Sequence, residues 1–233
     1  MTERYLNTLD CAATEAAQGA GCCTGYALPP LVVLVIAAAV LAVAFRNPNS
    51  FPIPAAAGDP KRQSTLTSHI SAIFTPEVQY WGSAITGWAA GAGLDPNLAA
   101  VVMQIESCGD PRALSSAGAI GLFQVMPYHF AEAEQPYSPD TNAARGLGYL
   151  GRALSAAQGD VRLALAGYNG GIGVIGRPDS TWPAETLRYA YWGSGIYAAA
   201  RRGSGNSARL SEWLAAGGYG LCRAARQRLH LSE

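Results

Sequence analysis

No residue between 26 and 45 carries a charge, and from Leu31 onward the run is almost wholly Leu, Val, Ile and Ala. A helix of that extent rises about 30 Å, the thickness of a bilayer's hydrocarbon core, so the run reads as a transmembrane helix. A cleaved signal peptide is the alternative, with the small residues at 42–44 or 55–57 as the cleavage site. The polar segment 1–25 ahead of the run argues for an anchor. It is long and sets only Arg4 against Glu3, Asp10 and Glu15, unlike the short basic region of a signal peptide. Cys22 and Cys23 border the run and are candidates for acylation, an unmodified pair being the ordinary alternative.

Downstream, 46–75 is rich in Pro, Ser, Thr and Ala, and Pro48, Pro52, Pro54 and Pro60 forbid a continuous helix, so it reads as a flexible tether. From Pro76 the periodicity turns helical: Val78, Trp81, Ile85 and Trp88 recur at three- and four-residue steps, with Gly91 and Gly93 as the stop. Asp95 before Pro96 starts a second helix, whose apolar face runs through Leu98, Val101, Val102 and Ile105 to Glu106. Further helices are expected over 140–158, 160–168 and 183–202. No segment alternates as a long strand, so 76–233 is expected to be one mainly α-helical domain.

Composition narrows the partners. The 16 basic and 16 acidic residues cancel, leaving no global field to hold a polyanion, so nucleic acid is not an expected partner. Arg201 and Arg202, with Arg223, Arg226 and Arg228, form the nearest approach to a basic patch, and a solvated helix face accounts for it. Of five cysteines, Cys108 and Cys222 fall in the domain, with no CxxC pair and only three histidines in the chain. That set does not make a closed four-ligand zinc site, and no metal or other cofactor is implied. If the domain lies outside the cytoplasm, a Cys108 to Cys222 disulfide is expected, and a loop so long would stabilise by about 4 kcal/mol.

Glu106 falls in the last turn of its helix, where unpaired carbonyls disfavour a carboxylate. Burial would push the same way, and an acid that stays protonated near neutral pH suits cleavage of a glycosidic bond. By itself it reads as an ordinary surface glutamate on a helix. The run from Glu106 to Pro127 changes that reading: Glu106-Ser107, then Ser115, Gly118 and Ala119, then Gly121-Leu122-Phe123-Gln124. Further on come Gly167-Tyr168-Asn169 and Glu185-Thr186 with Tyr189. In order and spacing these resemble the motifs of the soluble-type lytic transglycosylases, related in fold to goose-type lysozyme, with Phe123 where that family carries Met.

The resemblance implies a lysozyme-like fold and cleavage of peptidoglycan between N-acetylmuramic acid and N-acetylglucosamine, with Glu106 as the catalytic acid and base. It implies that Ser107, Gln124, Tyr168, Asn169, Glu185 and Tyr189 orient Glu106 or bind the glycan. Tyr128, Phe130, Tyr191, Trp192 and Tyr197 are expected in the core rather than in the site. Two rivals stay open: a lysozyme-like hydrolase in which Asp110 or Glu185 activates water, and a wall-binding module of low turnover that assists an assembly. The substrate lies outside the cell, so the domain is expected there, held by the single N-terminal helix. Arg46, Lys61 and Arg62 after the span argue the other way by the positive-inside rule, although long domains translocate largely regardless of charge.

Overall fold

The computed structural model describes residues 69–232, which are mainly α-helical. The expected membrane span 26–45 lies outside the described residues, as do 1–25 and 46–68. Among the described residues, no helix is long and apolar enough to cross a membrane. The folded part begins upstream of Pro76, because Ile70, Ile73 and Phe74 are buried in the main core. This corrects the expected tether at its C-terminal end, where those three apolar side chains have core to pack against.

Instead of one helix from Pro76 to Gly91 there are two, α1 (Pro76–Tyr80) and α2 (Gly82–Gly91). Trp81 breaks them with φ −89° and ψ 0°, and its indole N–H donates to the Gly109 carbonyl at 2.9 Å. The helix that ends on Glu106, α3 (Pro96–Glu106), starts as expected: Pro96 occupies its first turn, and the Asp95 carboxylate accepts from the Asn97 N–H at 2.8 Å. Every residue of α3 from Pro96 to Gln104 is buried, as befits a helix wrapped by its neighbours.

Helices α2 and α6 (Ala184–Arg201) pack on α3, while α4 (Pro139–Ala156) packs on α2 and α5 (Val161–Gly170) packs on both α4 and α6. Ser138 and Asp160 cap α4 and α5, and Gly171, at φ +86°, supplies the turn that ends α5. The chain closes with α7 (Ala208–Trp213), a π-helical turn (Leu214–Gly218) and α8 (Tyr219–Arg228). Only isolated β-bridges, Leu114 with Ile120 and Ile120 with Val125, occur among the described residues.

Three links fasten α8 to the start of the domain and to the turn after α3. Cys108 and Cys222 form the expected disulfide, Arg226 pairs at 2.7 Å with the buried Glu77, and Arg228 lies 3.7 Å from Asp110. Gln104, fully buried in α3, accepts from both the N–H and the hydroxyl of Thr75. Helix α3 and the turn after it are thereby tied to both ends of the described chain.

Candidate active site

A cleft of about 320 Å³ opens above the C-terminal end of α3, with Glu106 on its floor. One side of this carboxyl faces the cleft and the rest is enclosed by protein, and that enclosure raises its pKa to about 8. Burial is the largest cause, the Tyr189 hydroxyl pulls the other way, and the charge of Glu185 adds to the rise. The acid is therefore neutral at pH 7 and able to give a proton. Tyr189 is buried, and its hydroxyl makes no hydrogen bond to a described residue, so it acts on Glu106 as a neighbouring dipole. Burial and the neighbouring Glu106 hold both Tyr168 and Tyr189 well above the ordinary phenol range, so both stay neutral.

The loop between α3 and α4 supplies the second wall. Gly121 takes φ +74°, and Gln124 takes φ +45°, a left-handed conformation uncommon outside glycine. Three side chains from three helices or their ends hold this loop. Ser107 donates to the Leu122 carbonyl at 2.8 Å, and Tyr168 to the Phe123 carbonyl at 2.7 Å. Asn142, buried on α4, accepts from the Phe123 N–H and donates to the Ile120 carbonyl, each at 2.8 Å. The loop also lies close against α4: a Cβ on Gly146 would stand 2.5 Å from that of Phe123.

Five of the seven residues expected at the site border the cleft: Glu106, Gln124, Tyr168, Asn169 and Glu185. Gln124 spends its amide N–H group on the Gly121 carbonyl, which leaves its oxygen for a ligand. Asn169 does the converse, accepting from the Thr186 hydroxyl at 2.8 Å and keeping its amide N–H group free. Tyr189 stands behind the cleft, stacked on Tyr168 with ring centroids 6.4 Å apart. Ser107 is the correction. It is buried beneath the loop, bonded to Leu122 and accepting from the Gly109 N–H, so it braces the loop and does not border the cleft.

Residues 83–190, which hold every residue of this cleft, match the family model described as the Transglycosylase SLT domain. A protein named Transglycosylase from Enterobacteria phage PRD1 is 37% identical to this chain over 111 residues, covering 47% of this chain and 40% of the phage protein. Among solved structures, an inactive mutant of lytic transglycosylase Slt from Pseudomonas aeruginosa aligns with a TM-score of 0.38 and 22% identity, over 64% of this chain and 24% of that one. The chain thus spans less than half the length of either relative.

Several residues of the cleft are ones the sequence motifs did not single out. Arg145 and Tyr149 reach it from α4, and Tyr128 and His129 from the 3-10 turn before α4. Tyr128 is 75% exposed at the rim rather than in the core, and Tyr191 is also exposed; Phe130, Trp192 and Tyr197 do pack on the core. The available signal was the spacing of Asn142, Gly146 and Tyr149 along one face of α4, which by itself looks like a solvated helix face. Asp110, one of two acids considered as a water activator, lies away from the cleft beside Arg228; Glu185, the other, lines it. As for metals, Glu77, Cys108 and Cys222 cluster closely, but both sulfurs are in the disulfide and Glu77 is paired with Arg226, so no thiolate is offered there.

Proposed function

We propose that this protein is a peptidoglycan lytic transglycosylase that breaks the β-1,4 bond from N-acetylmuramic acid to N-acetylglucosamine and leaves 1,6-anhydro-muramic ends. The observation that carries this reading is the Glu106 carboxyl, its pKa raised to about 8, on the floor of a cleft built from the SLT motifs. Glu106 gives its proton to the glycosidic oxygen, which leaves as the 4-hydroxyl of N-acetylglucosamine. The C6 hydroxyl of the muramic residue then attacks C1, and its proton returns to the Glu106 carboxylate. No water is consumed and the acid is regenerated. In this reading the Gln124 oxygen and the Asn169 amide hold N-acetyl and hydroxyl groups. Tyr168 lines the cleft with its ring, and Tyr189 and Glu185 set the proton affinity of Glu106.

We further assign 76–233, with the buried residues just upstream, to a lysozyme-like catalytic domain on the extracytoplasmic side, anchored by 26–45 through the stretch that follows. The oxidised Cys108–Cys222 pair is compatible with that side of the membrane.

One observation favours a second reading. Glu185 borders the same cleft and acts electrostatically on Glu106, so it could activate a water for lysozyme-like hydrolysis. Digestion of purified peptidoglycan by the full chain and by Glu106→Gln, with the muropeptides resolved by mass spectrometry, tests both. Anhydro-muramic ends that vanish in the variant are expected. Reducing ends that vanish likewise make the protein a hydrolase, and products that persist unchanged in Glu106→Gln remove the assignment of the acid.

A further inference from the structure

The cleft wall formed by α4 holds a cation that cleavage of a neutral glycan leaves without a role. Arg145 borders the cleft with a side chain 40% exposed. Its Nε and Nη2 both donate to Glu134, at 2.8 and 2.7 Å for the shorter contacts. Glu134 does not border the cleft, and its own Oε2 accepts from the Ala131 N–H at 2.8 Å. The carboxylate therefore grips the guanidinium from the far side and fixes its plane. The remaining amino group, Nη1, makes no hydrogen bond to any described residue.

The neighbouring wall is aromatic. Tyr128 and His129 rings lie 4.5 Å apart, and His129 lies 5.3 Å from Tyr149, all three bordering the same cleft as Arg145. In stem-bearing glycan the lactyl carboxyl is tied up as an amide, so the sugars themselves carry no charge and stacked rings and amide groups suffice for them. An oriented guanidinium matches a carboxylate instead. In peptidoglycan, carboxylates are carried by the peptide stem attached to the muramic residue.

We propose that Arg145, oriented by Glu134, binds a carboxylate of the peptide stem and makes this cleft prefer stem-bearing glycan over neutral glycan. The proposal rests on the peptidoglycan reading above and deepens it. Glu134 already offsets part of the charge and the site is open to water, so the contact is expected to contribute about tenfold in affinity, the lower range for a charge-assisted hydrogen bond.

The test is calorimetric titration of the full chain carrying Glu106→Gln, so that nothing is consumed, against three oligosaccharides of equal length. The first carries intact stems, the second has had its stems removed and keeps only lactyl carboxylates, and the third is a neutral chitin oligomer. Adding Arg145→Gln should weaken the first by about tenfold and leave the third unchanged, with Arg145→Lys recovering part of the loss. Adding Glu134→Gln, which keeps the cation but releases it, should cost less. Equal losses on all three probes, or none on the first, overturn the proposal. A loss on the second but not the first also overturns it and makes the lactyl carboxylate the ligand.

Turnover of the first probe by the unmodified chain is followed in parallel. If no product forms, the transglycosylase reading falls, while the binding comparison still decides the role of Arg145. Failure to bind any probe overturns both.

Discussion

Replacing Glu106 by Gln should destroy activity and make the protein more stable, by an amount that grows with pH. The folded chain holds this carboxyl at about 8 against an ordinary value of 4.5, with burial as the main cause. Such a group contributes its full neutral-state stability below pH 4.5 and loses it progressively as the pH rises through about 8, because the unfolded chain ionises first. Each unit corresponds to about 1.4 kcal/mol, so at pH 7 the acid should cost the fold about 3 kcal/mol, and about 5 kcal/mol once the pH exceeds the folded value. Gln keeps the shape and has no proton to lose. Urea unfolding of both proteins at half-unit steps from pH 4.5 to 8.5 isolates this term, since every other titrating group cancels in the difference. At pH 7 the midpoint of thermal unfolding should rise by roughly 6 to 12 °C in the variant. Stability curves that run parallel across the whole range would refute the argument, because they would mean that Glu106 titrates alike in the folded and unfolded chains.

Asn142→Ala should cost about 3 kcal/mol, because it leaves the Phe123 N–H and the Ile120 and Pro136 carbonyls without their side-chain partner. Chemical denaturation measures that loss. Clearing of a peptidoglycan suspension should slow at temperatures where the variant is fully folded, since the loop that carries Gln124 loses its hold on α4. Reduction of the Cys108–Cys222 bond, whose cysteines are 114 residues apart in sequence, should lower stability by about 4 kcal/mol. Unfolding followed with and without a thiol reductant, with the redox state checked by mass, shows whether α8 needs the covalent link in addition to the Glu77–Arg226 pair.

Local sequence carried much of the framework. Asp95 and Pro96 can only begin a helix where they stand, and eleven helical residues later the chain reaches Glu106 at its end. The Gly170-Gly171 pair stopped α5 where a positive φ was needed, and the motif order set Gln124, Tyr168, Asn169 and Glu185 around one cleft. Adjacency misled at Ser107. Next to Glu106 in sequence, it sits at the helix C-cap with φ −141°, and its hydroxyl turns to the Leu122 carbonyl. Trp81 likewise broke a helix that periodicity would continue, through an indole bond to Gly109 that is 28 residues away.

By itself, then, the sequence determined the helical class, the ends of the central helices and the choice of Glu106 as the candidate acid, because caps, glycines and short motifs act over a few residues. Only tertiary structure decided that Glu106 is neutral at pH 7, since its pKa rises through burial among other elements and the charge of Glu185, against the opposing pull of Tyr189. It also decided that Arg145 and Tyr149 face a cleft instead of solvent. That depends on Gly146 letting Phe123 approach α4, and a contact between residues 23 positions apart leaves no periodic trace in the chain.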